Sequence, residues 1–156
     1  MKHLLSIEQL TAKEITEILA LSKKLKAERG RHKAQPLQGQ TWVLIFTKAS
    51  TRTRVSFDVG IRELGGESIY LAGNEIQMGR GETVADTARV LSRYVHGAVI
   101  RTFAQRDLTE FAQSGSIPVI NALTDDEHPC QILADLFTII EKSGKLAGRD
   151  FGLCYS

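Results

Sequence analysis

At 156 residues, with 42% apolar and 24% charged side chains, the chain has the make-up of one soluble domain with a real hydrophobic core, which excludes a disordered or fibrous protein. A net charge of +2 excludes a general nucleic-acid binder, which needs a basic stripe to displace counterions from the phosphate backbone. Cys130 and Cys154 form neither a CxxC pair nor a metal-ligand spacing. With no signal-peptide pattern at the start and no run near the ~18 apolar residues of a membrane span, a reduced, cytoplasmic setting is expected.

In chain order, Thr11-Ala-Lys-Glu14 is a capping-box pattern, and Ile15, Ile18, Leu19 and Leu25 follow at helical spacing, broken at Ser22. That predicts a first helix ending near Gly30. The polar stretch 31–41, with Pro36 and Gly39, reads as a loop. The run 42-WVLIF-46 is a short buried strand by length and content. Residues 52–64 fit a helix stopped by Gly65-Gly66, and 68–71 fit a strand. A polar, glycine-bearing loop at 73–81 leads to a helix over 82–96, with Val84, Ala88, Leu91 and Val95 on one face. A strand at 98–103 precedes a helix near 107–113, opened by the capping-box pattern Asp107-Leu-Thr-Glu110. A strand at 118–123, a loop at 124–128 and a helix over 129–142 complete the series, with Pro129 at its permitted first position and Gly144 as its stop. Strands alternating with helices predict an α/β three-layer sandwich, a mostly parallel sheet of about four strands covered on both faces. Residues 150–156 read as the start of another strand. The expected organisation is one domain over 1–147 and, over 148–156, the first strand of a second domain.

Ligands of doubly wound sheets bind beyond the carboxyl ends of the strands. Three segments of this chain fall there: 47–54, Arg101, and 128-HPCQ-131. Ser50, Thr51, Arg52 and Thr53 occupy the first turn of the helix after strand 42–46, where free N–H groups and the helix dipole favour an anion. The hydroxyls add neutral donors, and a guanidinium fork matches phosphate or carboxylate oxygens. Neither the P-loop spacing nor the G-x-G-x-x-G turn is present, so a small anion fits better than a nucleotide. His128 and Gln131, at a helix start, could face one ligand, whereas His3, His32 and His96 are read as structural. Cys130 lacks a base partner and reads as a small buried residue rather than a nucleophile.

The motif 46-FTKASTRTRVSF-57, the stretch beginning IQMGRGE and ending SRY at 76–94, and HPCQ at 128–131, in this order and spacing, resemble the amino-terminal half of the ornithine carbamoyltransferases. Aspartate carbamoyltransferases usually carry Glu-Pro where this chain has Lys48-Ala49, and a Ser-x-x-x-Lys element where it has the Gln77 loop. The resemblance favours the ornithine type. It implies a carbamoyl-phosphate-binding domain, with Ser50, Thr51, Arg52, Thr53, Arg101, His128, Pro129, Cys130 and Gln131 at the substrate. Arg52, Arg101 and His128 would carry catalysis. Gln77 would reach a neighbouring subunit's site in a homotrimer.

The implied reaction is attack of ornithine's side-chain amine on the carbamoyl carbon, giving citrulline and phosphate, with no metal and no organic cofactor. Arg54 is left as structural, in an ion pair. The family's D-x-x-x-S-M-G and H-C-L-P elements for the amino acid do not occur in these residues. The chain alone is therefore expected to bind carbamoyl phosphate weakly and not to turn over. A non-catalytic anion-binding module, or a carbamoyltransferase for a related amine such as putrescine, are the alternatives.

Overall fold

The computed structural model describes residues 3–73, 75–76, 81–144 and 146. After a 3-10 turn at Ile7–Gln9, the elements are α1 (Ala12–Ala27), β1 (Thr41–Phe46), α2 (Thr51–Glu63), β2 (Glu67–Ala72), α3 (Val84–Leu91), β3 (Gly97–Arg101), α4 (Gln105–Ser114), β4 (Val119–Leu123) and α5 (Pro129–Ser143). The four strands make one parallel sheet in the order β2-β1-β3-β4. The chain thus forms the expected α/β sandwich.

β1 accounts for the layering. Val43, Leu44, Ile45 and Phe46 are all buried, although successive side chains of a strand point to opposite faces. Both faces must therefore be covered. Val43 and Ile45 pack with Ala98, Ile100 and Val119 against Ala88 of α3 and Leu108, Phe111 and Ala112 of α4. Leu44 and Phe46 pack with Val99 and Ala122 against Ile61 and Phe57 of α2. α5 packs on β4, and α1 packs on α5. Full burial of side chains such as Leu108 and Phe111 favours folding by roughly 1.5–3 kcal/mol each.

Local signals set most boundaries. The Thr11–Glu14 capping box closes in both directions, and Gly144 ends α5 in the left-handed conformation at φ 79°. At the start of β3, Gly97 lets the strand lie under an indole. A Cβ there would stand 2.5 Å from Cζ3 of Trp42.

Three expectations need correction. The helix over 82–96 is shorter, because α3 starts after the Thr83 cap and ends at Leu91. The next residues turn, and the His96 N–H bonds the Thr41 carbonyl, which starts β3. β3 stops at Arg101 rather than 103: its register with β4 shifts at the Ile100–Arg101 step, and the Thr102 N–H still donates to the Leu123 carbonyl as the chain leaves the sheet. The Asp107–Glu110 capping box does not form. α4 begins two residues earlier, its N-cap Ala104 has no side-chain hydrogen bond, and Asp107 lies inside the first turn. The start of α4 is set by tertiary contacts of Gln105 instead.

The amino-terminal segment adds a contact that periodicity did not reveal. Leu4 pairs in parallel with Ile120, its N–H donating to the Val119 carbonyl and its carbonyl accepting from Asn121 N–H. Ile76, in the polar 73–81 stretch, is buried in the core. No helix of the described residues is long and apolar enough to cross a membrane.

Candidate functional site

β1 pairs with β2 on one side and β3 on the other, and the connection after β1 runs to β2 while that after β3 runs the opposite way to β4. A crevice opens at such a switch point. Here a cavity of ≈ 610 Å³ is lined by Ser50, Arg52, Thr53, Ser56, Phe57, Arg101, Leu123, His128, Cys130, Gln131 and Ala134. Three separated segments of sequence meet in it.

The first segment is the amino end of α2. Ser50 is the N-cap, its Oγ accepting from the Thr53 N–H at 3.4 Å and donating to Thr53 Oγ1 at 2.9 Å. The cap orients Thr53 while leaving other first-turn N–H groups for a ligand. Arg52 lines the cavity and is exposed. Thr51 begins α2 but does not line the cavity.

The second segment is Arg101, at the carboxyl end of β3. The register shifts between Ile100 and Arg101, so that Ile100 faces Asn121 and Arg101 faces Leu123, with Ala122 as the extra residue. A bulge at this point re-aims the side chain that follows it. Arg101 Nη1 donates to Thr53 Oγ1 at 3.5 Å, while its Nε is buried without a hydrogen-bond partner among the described residues. Burial pulls the guanidinium pKa below its ordinary value. A desolvated cation with an unused donor gains much from an anion beside it.

The third segment is the start of α5. His128 is the N-cap residue, and Pro129, fully buried, takes the first helical position. The imidazole pKa is held below its ordinary value, chiefly by burial and then by the Arg101 charge, with Asp135 acting weakly the other way. At neutral pH the ring is uncharged. Cys130 is not a nucleophile: burial pushes its pKa up to about 12, and its thiol donates to the Asn121 carbonyl. Gln131 lines the cavity and donates through Nε2 to Asp135 at 2.8 Å.

The loops that carry these segments are tied together. Lys48 Nζ sits 3.1 Å from Asp125 Oδ1 and 5.3 Å from the centre of the Phe103 ring, linking the connections after β1, β3 and β4. The Thr47 N–H donates to the Arg101 carbonyl at 2.9 Å.

Of the residues read from the sequence, Ser50, Arg52, Thr53, Arg101, His128, Cys130 and Gln131 therefore come together. Thr51 and Pro129 do not line the cavity, and Gln77 lies outside the described residues, as do Cys154 and 147–156. The charge of Arg54 helps to lower the Asp58 pKa, and its guanidinium carbon lies 3.6 Å from the centre of the Tyr70 ring in a stacking contact that was not expected. Ser56, Phe57, Leu123 and Ala134 also line the cavity and were not read from the sequence. Ser56 was within reach, since it lies one helical turn beyond Arg52. The other histidines are structural: Nδ1 of His3 accepts from Val119 N–H, Nδ1 of His96 accepts from Thr41 N–H, and His32 faces Glu63.

Fold and cavity define a class: an α/β domain with two arginines, a helix amino terminus and an uncharged histidine around one small crevice. The family described as aspartate/ornithine carbamoyltransferase, carbamoyl-P binding domain, matches residues 2–141. This chain belongs to that family. Among its relatives, the ornithine carbamoyltransferase of Akkermansia muciniphila is 60% identical over 155 residues, 99% of this chain and 51% of that protein. That of Caldicellulosiruptor saccharolyticus is 54% identical, over 99% of this chain and 50% of that protein. Among solved structures, the ornithine carbamoyltransferase of Pyrococcus furiosus superposes with a TM-score of 0.89 at 46% identity, over 92% of this chain and 46% of that one. The chain spans about half the length of the curated relatives it matches.

Proposed function

We propose that this chain supplies the carbamoyl phosphate half of an ornithine carbamoyltransferase. The observation that carries the reading is the convergence of the α2 amino terminus, Arg52, Arg101 and His128 on one cavity, in a chain of this family. Arg52 and the free N–H groups of α2 hold the phosphate and take up the charge that grows on it as it leaves. Thr53, Arg101 and His128 donate to the carbamoyl oxygen, where negative charge builds when the amine attacks. An uncharged imidazole suits this role, because it donates one N–H without placing a second full cation beside Arg101. Removing one such donor costs about 10²–10³ in rate. The remaining gain comes from holding the carbamoyl carbon in line for the incoming amine of ornithine.

In the whole enzyme the reaction yields citrulline and phosphate and belongs to arginine metabolism in the cytoplasm. The working unit is a homotrimer in which the loop bearing Gln77 reaches a neighbouring subunit's site. Residues 1–147 form the carbamoyl-phosphate-binding domain, and 148–156 begin the first strand of the amino-acid-binding domain. Since the chain spans about half of its relatives, these 156 residues bind carbamoyl phosphate but do not form citrulline.

The test is thermal unfolding with and without carbamoyl phosphate. A ligand at ~100 times its dissociation constant stabilises a fold by about 2.7 kcal/mol. The melting temperature is expected to rise for the wild type and to stay unchanged for Arg52→Ala. No rise in the wild type, or citrulline released by the 156-residue chain, would overturn the corresponding part of the reading.

A further inference from the structure

Beneath the cavity lies a buried polar cluster that the reaction does not use. Asn121 is 0% exposed and Thr124 4%, and polar groups placed that deep must be hydrogen-bonded or they cost stability. Gln105, the first residue of α4, joins them. Its Oε1 accepts from Thr124 Oγ1 at 2.6 Å and from Asn121 Nδ2 at 3.4 Å, and its Nε2 donates to the Leu5 carbonyl at 3.2 Å. Asn121 Nδ2 also donates to the Leu5 carbonyl at 2.8 Å and to the Glu127 carbonyl at 3.4 Å.

Thr124 carries this cluster into the loop. Its N–H donates to the Glu127 carbonyl at 2.9 Å, and its hydroxyl accepts from the Glu127 N–H at 3.1 Å. These bonds close residues 124–127 into a tight turn. The next residue is His128, whose carbonyl accepts from the N–H groups of Gln131 and Ile132, each at 3.1 Å. Its backbone is therefore gripped by the turn on one side and by α5 on the other. Gln105 is the only described side chain of α4 bonded to that turn through Thr124.

We propose that Gln105 is a positioning residue: from α4 it fixes the 124–127 turn and so aims His128 at the carbamoyl carbonyl. Removing its amide leaves the Thr124 hydroxyl and one Asn121 N–H buried without this acceptor, and the turn relaxes to find others. Among the described residues, the charges of Arg101 and Asp135 bear on His128, and a shifted ring meets both at new distances and in wetter surroundings.

Gln105→Met keeps length and volume and removes both amide functions. Thr124→Val removes the hydroxyl, and Thr124→Ser keeps it. Two readouts are taken on the 156-residue chain. The first is the pH titration of the His128 imidazole by NMR, its resonance assigned by loss in His128→Gln. The second is calorimetric affinity for inorganic phosphate and for phosphonoacetamide, in which a methylene replaces the bridging oxygen of carbamoyl phosphate. In Gln105→Met and Thr124→Val the His128 titration is expected to move back toward the ordinary imidazole value. Affinity for phosphonoacetamide falls about tenfold and that for phosphate less than about twofold, since His128 is assigned to the carbonyl and not to the phosphate. Thr124→Ser behaves as the wild type.

An unmoved His128 titration in both disruptive variants, with or without a lower melting temperature, reduces Gln105 to a purely structural role and overturns the proposal. Equal losses for the two ligands do the same. If Gln105→Met does not fold, Thr124→Val against Thr124→Ser decides. The affinity arm rests on the function proposed above. If the wild type binds neither ligand, that reading fails, and the titration still decides this one.

Discussion

At the scale of single residues, the site works by leaving strong donors underused. Ser50 is spent on capping α2 and orienting Thr53, while Arg101 keeps one buried N–H without a partner among the described residues. Lys48, by contrast, is committed to Asp125 and Phe103. Its ion pair is partly exposed and worth at most about 1 kcal/mol, so it aligns loops rather than holding the fold. His128 has a consequence for pH. Its pKa lies below the ordinary 6.5 in the folded chain, mainly through burial, so the unfolded chain takes up the proton first. Stability is therefore complete above about pH 7 and falls as the pH drops through 6.5 toward the folded value. His3 is shifted the same way, by burial and the amino-terminal charge, and contributes to the same window. Asp58 and Asp86, whose pKa values are lowered chiefly by hydrogen bonds from Ser68 and Thr83, act only below 3.8. Melting temperatures at pH 7.5 and 5.5 should differ less in His128→Gln than in the wild type. An equal difference in both would mean that His128 is not desolvated in solution.

At the scale of elements, the Trp42 indole of β1 lies as close to Gly97 of β3 as a glycine permits. Gly97→Ala sets a Cβ within 2.6 Å of three carbons of the Trp42 ring. The rigid indole must move, and overpacking of this kind costs roughly 1–3 kcal/mol. Urea unfolding should report that loss, and Trp42→Leu in the same chain should recover part of it. A Gly97→Ala midpoint equal to the wild type would show that the indole does not lie so close to Gly97. The glycine illustrates what the sequence could and could not reveal. Strand 42–46 was legible because every residue from Val43 to Phe46 is buried, which produces an unbroken apolar run. The cap of α1 was legible because Thr11 and Glu14 need only each other. The start of α4 was misread because Asp107–Glu110 offers the same local pattern, while Gln105 is fixed by Leu5 and Thr124, about 100 and 19 positions away. Likewise, the bulge that aims Arg101 depends on pairing with β4, and the stacking of Arg54 depends on Tyr70, which lies across on β2. Residues that line the cavity were readable where one strand-to-helix turn groups them. The residues that hold those turns in place were not.

At the scale of the whole molecule, the fold separates what makes it stable from what makes it selective. The site sits at the carboxyl edge of the sheet, between α2 and α5. The larger core lies on the opposite face, under α3 and α4. Val95 belongs to that core, in the segment between α3 and β3, and is 7% exposed. It enters at the amino end of β3, a full strand away from Arg101 at the carboxyl end. Val95→Ala removes two buried methyl groups, a loss of roughly 1.5–3 kcal/mol once the cavity is included. Against the 5–15 kcal/mol typical of a domain that is a large fraction, and the urea midpoint should fall accordingly. Yet Val95 itself does not line the cavity, and contacts that far apart usually contribute independently. Calorimetric affinity for phosphonoacetamide, measured where Val95→Ala is still fully folded, should stay within about twofold of the wild type. A drop in affinity that parallels the drop in stability would mean that the two faces of the sheet are energetically coupled, and that the apolar core under α3 and α4 shapes the cavity beyond the tie made by Gln105.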